Sequence, residues 1–150
     1  MHHSDNRFLI SISFGRTIKI FDLSKRKTLH TFSKAHKARI RAISISNTSD
    51  RCVFFATASE DGSIKIWNFE RRKLIDILHS QIPLKRLRIS PNEQYIAAGS
   101  SDGMIKIWKL QNRKCLCTIP KAHSEEIRSI VFTNDSQFFL TGSCDKSIKI

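Results

Sequence analysis

One short phrase recurs four times in this 150-residue chain and constrains it more than any bulk property does. Asp102-Gly103-Met104-Ile105-Lys106-Ile107-Trp108 is a tight-turn pair followed by a strand-like run that ends on tryptophan. Glu60-Asp61-Gly62-Ser63-Ile64-Lys65-Ile66-Trp67 repeats it nearly intact. Asp145-Lys146-Ser147-Ile148-Lys149-Ile150 repeats it as far as the tryptophan position, and Gly15-Arg16-Thr17-Ile18-Lys19-Ile20-Phe21 is a divergent copy. The second isoleucine of each Ile-Lys-Ile falls at Ile20, Ile66, Ile107 and Ile150, at intervals of 46, 41 and 43 residues. A period of about 40–45 residues built from short strands signals radially repeated sheets and not a helical solenoid.

The residues between the copies agree. Runs rich in β-branched and aromatic side chains, separated by turn clusters, predict strands over 7–13, 17–22 and 28–32. The same reading gives 40–45, 53–58, 64–69 and 73–78, then 84–89, 95–99, 105–110 and 114–119. Strands over 127–132 and 138–142 follow, and the chain stops within the next one. Asn47-Thr48-Ser49-Asp50, Ser90-Pro91-Asn92-Glu93 and Thr133-Asn134-Asp135-Ser136 read as turns. The expectation is an all-β chain: β-propeller blades of four-stranded antiparallel sheets in an incomplete ring. The expected divisions are a partial blade over 1–33, full blades over 34–78 and 79–119, and a partial blade over 120–150.

Each copy carries a polar set with a physical logic of its own. An Asp at a tight turn accepts backbone N–H bonds, and the Gly after it tolerates a positive φ. A His can bridge that Asp to a hydroxyl on a neighbouring strand, and an indole N–H can donate to the same hydroxyl. Such a set is tolerable in the interior only when every member is satisfied.

On these residues the whole chain resembles the WD40-repeat family of β-propellers, in which a buried His, Ser/Thr, Asp and Trp lock each blade. The resemblance implies a structural lock of His36, Thr57, Asp61 and Trp67 in the second unit and of His123, Thr141 and Asp145 in the fourth. The third offers Asp102 and Trp108 but has Ala98 at the hydroxyl position, and His79 lies one residue out of register with Ser80 in its place. The first has Ser11 and Phe21, with Gly15 replacing the Asp. Ala35-His36 and Ala122-His123 stand where the family shows Gly-His, and Trp67-Asn68 and Trp108-Lys109 stand for its Trp-Asp.

His36, Thr57 and Asp61 also have the inventory of a hydrolytic triad. Repetition argues against that role, because a fold needs a lock in every blade and an enzyme needs one accessible nucleophile. The expectation is a chain with no catalytic residues, no cofactor and no metal site.

Lys and Arg number 26 against 13 Asp and Glu, a formal charge of +13. The basic turns are the sharper signal: Lys25, Arg26 and Lys27, then Arg71, Arg72 and Lys73, then Arg113 and Lys114, in the same slot of three successive units. Equivalent slots fall on one side of the disc, so an arc of positive charge is expected there. It either simply solvates the turns and guards sheet edges or docks an acidic partner. Lys34, Lys37, Arg39, Arg41 and Lys121 are expected on the opposite side. Nucleic acid is disfavoured because Phe8, Phe55, Tyr95, Phe132 and Phe138 fit strand interiors, leaving no aromatic platform for bases.

Cys52, Cys115, Cys117 and Cys144 form no Cys-x-x-Cys and read as free thiols of a reducing compartment, cytoplasmic or nuclear. The first seven residues lack the apolar core of a secretion signal, and no apolar run reaches membrane-spanning length. Function is therefore expected to be a scaffold for protein–protein interactions; the alternative is a basic face docking phosphoinositide or RNA phosphates. An open set of blades leaves three expectations for the molecule: part of a longer propeller, a ring completed by a second chain, or a short open arc.

Overall fold

The computed structural model describes residues 7–46 and 53–150, which form fourteen strands in four antiparallel sheets and no closed ring. The turn expected at 47–50, and Cys52, lie outside the described residues. The first sheet holds β1 (Phe8–Ile12), β2 (Ile18–Asp22) and β3 (Lys27–Phe32). The second holds β4 (Ile40–Ile45), β5 (Phe54–Ser59), β6 (Ser63–Asn68) and β7 (Lys73–His79). The third holds β8 (Leu84–Ile89), β9 (Tyr95–Ser100), β10 (Ile105–Lys109) and β11 (Cys115–Ile119). The fourth holds β12 (Ile127–Phe132), β13 (Phe139–Ser143) and β14 (Ile148–Lys149). Every strand pairs with its neighbour in sequence, as a meander must.

The register repeats as faithfully as the sequence. Ser11, Thr57, Ala98 and Thr141 sit opposite Lys19, Lys65, Lys106 and Lys149, the lysines of the four Ile-Lys-Ile copies. A bulge displaces one residue of β4, β8 and β12 at Arg41, Lys85 and Arg128. An extra residue inserted into one strand sharpens its twist, so these sheets all coil in the same way and stack face to face.

The core lies between the sheets. Ile18, Ile20, Ile40, Phe55 and Trp67 close the first interface. Ala56, Ile64 and Ile66 meet Leu84, Ile96 and Trp108 in the second, and Ile105 meets Ile127 and Ile130 in the third. Small residues permit the closest approaches: a Cβ on Gly99 would strike the Ile127 side chain at 2.6 Å. Polar stitches accompany the packing, with the Ser44 hydroxyl accepting from Ile89 N at 3.0 Å and the Ser136 hydroxyl from Asn92 N at 3.1 Å. Phe138 departs from expectation. It lies in the turn just before β13, where its N–H is tied to the Thr133 hydroxyl, and the residue is 59% exposed.

Candidate functional site

The loops that lead into β4, β8 and β12 are the structural centre of each repeat. Each is tied backwards to the previous sheet by one backbone bond, Ala35 N to Arg16 O, Ser80 N to Gly62 O and His123 N to Gly103 O. Two are also tied forwards to their own sheet through histidine. His36 places Nε2 at 2.8 Å from the Thr57 hydroxyl and Nδ1 at 3.1 Å from Asp61 and from Ser63. The Trp67 indole donates to Thr57 Oγ1 at 2.9 Å. These contacts select one arrangement of protons: Nδ1–H faces the carboxylate and Nε2 accepts from the threonine, whose oxygen accepts from the indole.

Charge follows from the same contacts. Burial pushes the His36 imidazole below its ordinary value, against the opposing pull of Asp61. Burial would raise the Asp61 carboxyl, but the Ser63 hydroxyl, the Lys37 and Ser63 N–H groups and His36 outweigh it and hold the group at about 2. In the fourth sheet His123 stands 2.9 Å from Thr141 and 2.9 Å from Asp145, with Ser147 at 3.0 Å. The Ser147 hydroxyl, opposed by burial, holds the Asp145 carboxyl far below the usual carboxylate range.

The third sheet lacks this arrangement. Ala98 brings no hydroxyl to the strand beside Trp108, and Asp102 is bonded within its own turn, by the Ser100 hydroxyl and Met104 N. Ser80 is buried in the lead-in loop, and its hydroxyl has no hydrogen-bond partner among the described residues. His79, one residue earlier, is exposed at the end of β7.

Two contributors are absent from the sequence-level sets. Ser63 and Ser147 stand two residues after the Asp, and an Asp-x-Ser spacing could have revealed them. The lysines of the Ile-Lys-Ile copies cross to the lead-in loops, Lys65 to Ala35 O at 2.5 Å, Lys106 to Ser80 O at 2.7 Å and Lys149 to Ala122 O at 2.5 Å. Their recurrence was the visible signal.

A triad chemistry is closed to this set. Thr57 is fully buried, its hydroxyl proton is directed to the imidazole and its oxygen accepts from the indole. Among the described residues no group of acidic, His or Cys side chains is placed to hold a metal ion.

The basic turns lie at the other end of the sheets. Asp22 Oδ1 accepts from Lys25 N and Asn68 Oδ1 from Arg71 N, so the residue after the aromatic caps the turn. The Lys109 side chain has no acceptor, and Asn112 Oδ1 takes Lys114 N instead. Asp22 is itself held ionised by the Arg7 guanidinium, 2.8 Å away. Arg26, Arg72 and Arg113 occupy one slot with φ of 50°, 51° and 61°. Arg113 reaches Asp76 at 3.5 Å, whereas Lys25, Arg26, Lys27, Arg71, Arg72 and Lys73 form no ion pair with any described residue.

Several cations of the opposite end are engaged, whereas Lys34, Lys37 and Lys121 form no ion pair with any described residue. Lys85 and Arg41 converge on Glu60 at 2.8 and 3.7 Å, and Arg128 meets Glu126 at 3.2 Å. Arg16 donates to Lys37 O, and Arg39 lies over the Phe14 ring. Cys115 and Cys117 are free and exposed, and Leu116 between them is the extra residue of a bulge in β11.

The family model for the WD domain, G-beta repeat matches residues 26–68, 73–109 and 113–150. Each match starts at the outer strand of one sheet and ends in the third strand of the next, so the repeat links adjacent sheets covalently. The chain is 28% identical over 95% of its length to transducin beta-like protein 2 of Mus musculus and 27% identical over the same share to that of Homo sapiens. Over 47% of its length it is 34% identical to the pre-mRNA-splicing factor PRP46 of Candida albicans, covering 18% of that protein. The chain spans 35% of the length of the two transducin beta-like proteins.

Proposed function

The chain belongs to the WD40 family, and from that premise we propose that it is a non-catalytic platform that binds other proteins through the loops at the two ends of its sheets. One observation carries this reading: the groups with chemical potential, His36, Thr57 and Asp61, are spent on one another, while the loops and turns around them are exposed. Fold alone does not assign a partner. The exposed thiols of Cys115 and Cys117 fit a reducing intracellular setting, and the splicing-factor name of the PRP46 relative favours the nucleus over the cytoplasm.

Crosslinking in cell extract followed by peptide mapping tests the platform role. Crosslinks to other proteins concentrated at 34–39, 80–83 and 120–126 or at the basic turns support it. Hydrolytic turnover that Thr57→Ala abolishes without lowering the melting temperature would overturn it.

A further inference from the structure

We propose that the basic-turn end of the sheets docks on an anionic membrane leaflet, a role separate from the protein-platform reading. Three observations converge. The first is the charge of this end: the cations of the turns at 24–27 and 70–73 form no ion pair with any described residue, and Arg113 of the third turn meets only Asp76. Unpaired cations on one side are free to meet external negative charge.

The second is backbone conformation. Arg26, Arg72 and Arg113 lie in the left-handed region, where a residue with a Cβ is disfavoured and glycine is not. The turn geometry would be served better by glycine, so its demands do not account for three arginines in that slot.

The third is the company the cations keep. Leu23, adjoining the first turn, is 47% exposed; Ile75, just beyond the second, is 46% exposed; and Leu116, beyond the third, is 60% exposed. Basic side chains flanked by exposed aliphatic ones match an anionic interface, where the charge meets headgroups and the aliphatic groups enter the acyl boundary. No aromatic side chain lies within these turns to stack a base, which disfavours RNA. The three sites belong to three separate sheets, an arrangement that suits a broad surface better than a single cleft.

Sedimentation of the chain with phosphatidylcholine vesicles, with and without phosphatidylserine, is the test. Wild type binds only the phosphatidylserine vesicles. Arg26→Gly with Arg72→Gly lowers that affinity on the order of twentyfold, while the melting temperature holds or rises because the turns are relieved. Leu23→Ser with Leu116→Ser weakens binding and makes what remains fully labile to salt. The proposal is overturned if phosphatidylserine adds nothing, or if the glycine variants bind like wild type. It is equally overturned if the serine variants bind unchanged while inositol hexakisphosphate or an RNA oligonucleotide displaces the vesicles, which would mark a plain phosphate site.

Discussion

The Trp67 indole N–H ends on the Thr57 hydroxyl at 2.9 Å, joining the third strand of the second sheet to the second strand through a side chain that His36 also holds. Thr57→Val keeps the shape and leaves the indole and imidazole without their partner. Stranded buried groups cost about 1–3 kcal/mol. Urea unfolding should show a loss of that size for Thr57→Val. Ser11→Ala, at the equivalent but exposed position of the first sheet, should stay within about 0.5 kcal/mol of wild type. Equal losses from both would sink the assignment of the network as a stabilising device.

Ser80 supplies the opposite case. Its hydroxyl is buried without a partner among the described residues, so Ser80→Ala removes a desolvated group and no described hydrogen bond. The unfolding midpoint should rise, by about 1 kcal/mol in stability. A fall would mean that the hydroxyl is satisfied in solution.

Acid should act on the second sheet in two stages. The folded-state pKa of His36 is depressed below its ordinary 6.5, so the neutral ring contributes stability above that value and loses it as pH falls through 6.5 toward the folded pKa. Asp61 is depressed from 3.8 to about 2, so its contribution is present above 3.8 and is lost between there and about 2. Stability measured against pH should therefore decline in both windows. In His36→Gln the upper window should flatten. Persistence of the full upper decline in that variant would assign it to another group.

How much of this was legible in the sequence depends on which force sets each feature. Strand positions were legible because Ile-Lys-Ile runs can bury one face only as strands, and β6 and β10 fall within a residue of expectation. The meeting of His36 with Asp61 was suggested by family resemblance, since the two are far apart in sequence. Which cations are neutralised was not legible. Arg41 and Lys85 look as free as Arg72 on paper, and only the stacking of β4 against β8 brings both onto Glu60. The exposure of Phe138 was hidden for a similar reason, because a turn and a strand start one residue apart present opposite faces.

Lys106 should matter more than Lys65, although both make the same bond. The loop before β4 keeps its His36 contacts when Lys65→Met removes the bond to Ala35 O. The loop before β8 has no such histidine, so Lys106→Met leaves the Ser80 N to Gly62 O backbone bond as its tie to the preceding sheet among the described residues. Hydrogen exchange at Gln81 and Ile82 should accelerate about tenfold in Lys106→Met, reflecting easier local opening. The corresponding change at Lys37 and Ala38 in Lys65→Met should be much smaller. Equal acceleration in both loops would show that the histidine contacts do not hold the loop.

Gly103 and Gly62 occupy one turn slot with φ of 80° and 77°, yet substitution should separate them. Arg16 and Lys146 fill the same slot in the outer sheets at φ of 63° and 67°, so the backbone conformation alone does not demand glycine. Space does at Gly103: a Cβ there would collide with the His123 carbonyl oxygen, whose own N–H donates to Gly103 O at 3.0 Å. At Gly62 the nearest atom, Ile82 O, would lie 3.3 Å from the new Cβ, tight but relieved by a small shift of the loop. Gly62→Asn should therefore cost about 1 kcal/mol, the left-handed penalty softened by a residue that tolerates it. Gly103→Asn must also push apart the third and fourth sheets and break the bond that ties them, so it should cost at least about 3 kcal/mol. Matching melting temperatures for the two variants would show that the backbone, and not the contact with His123, selects glycine at this turn.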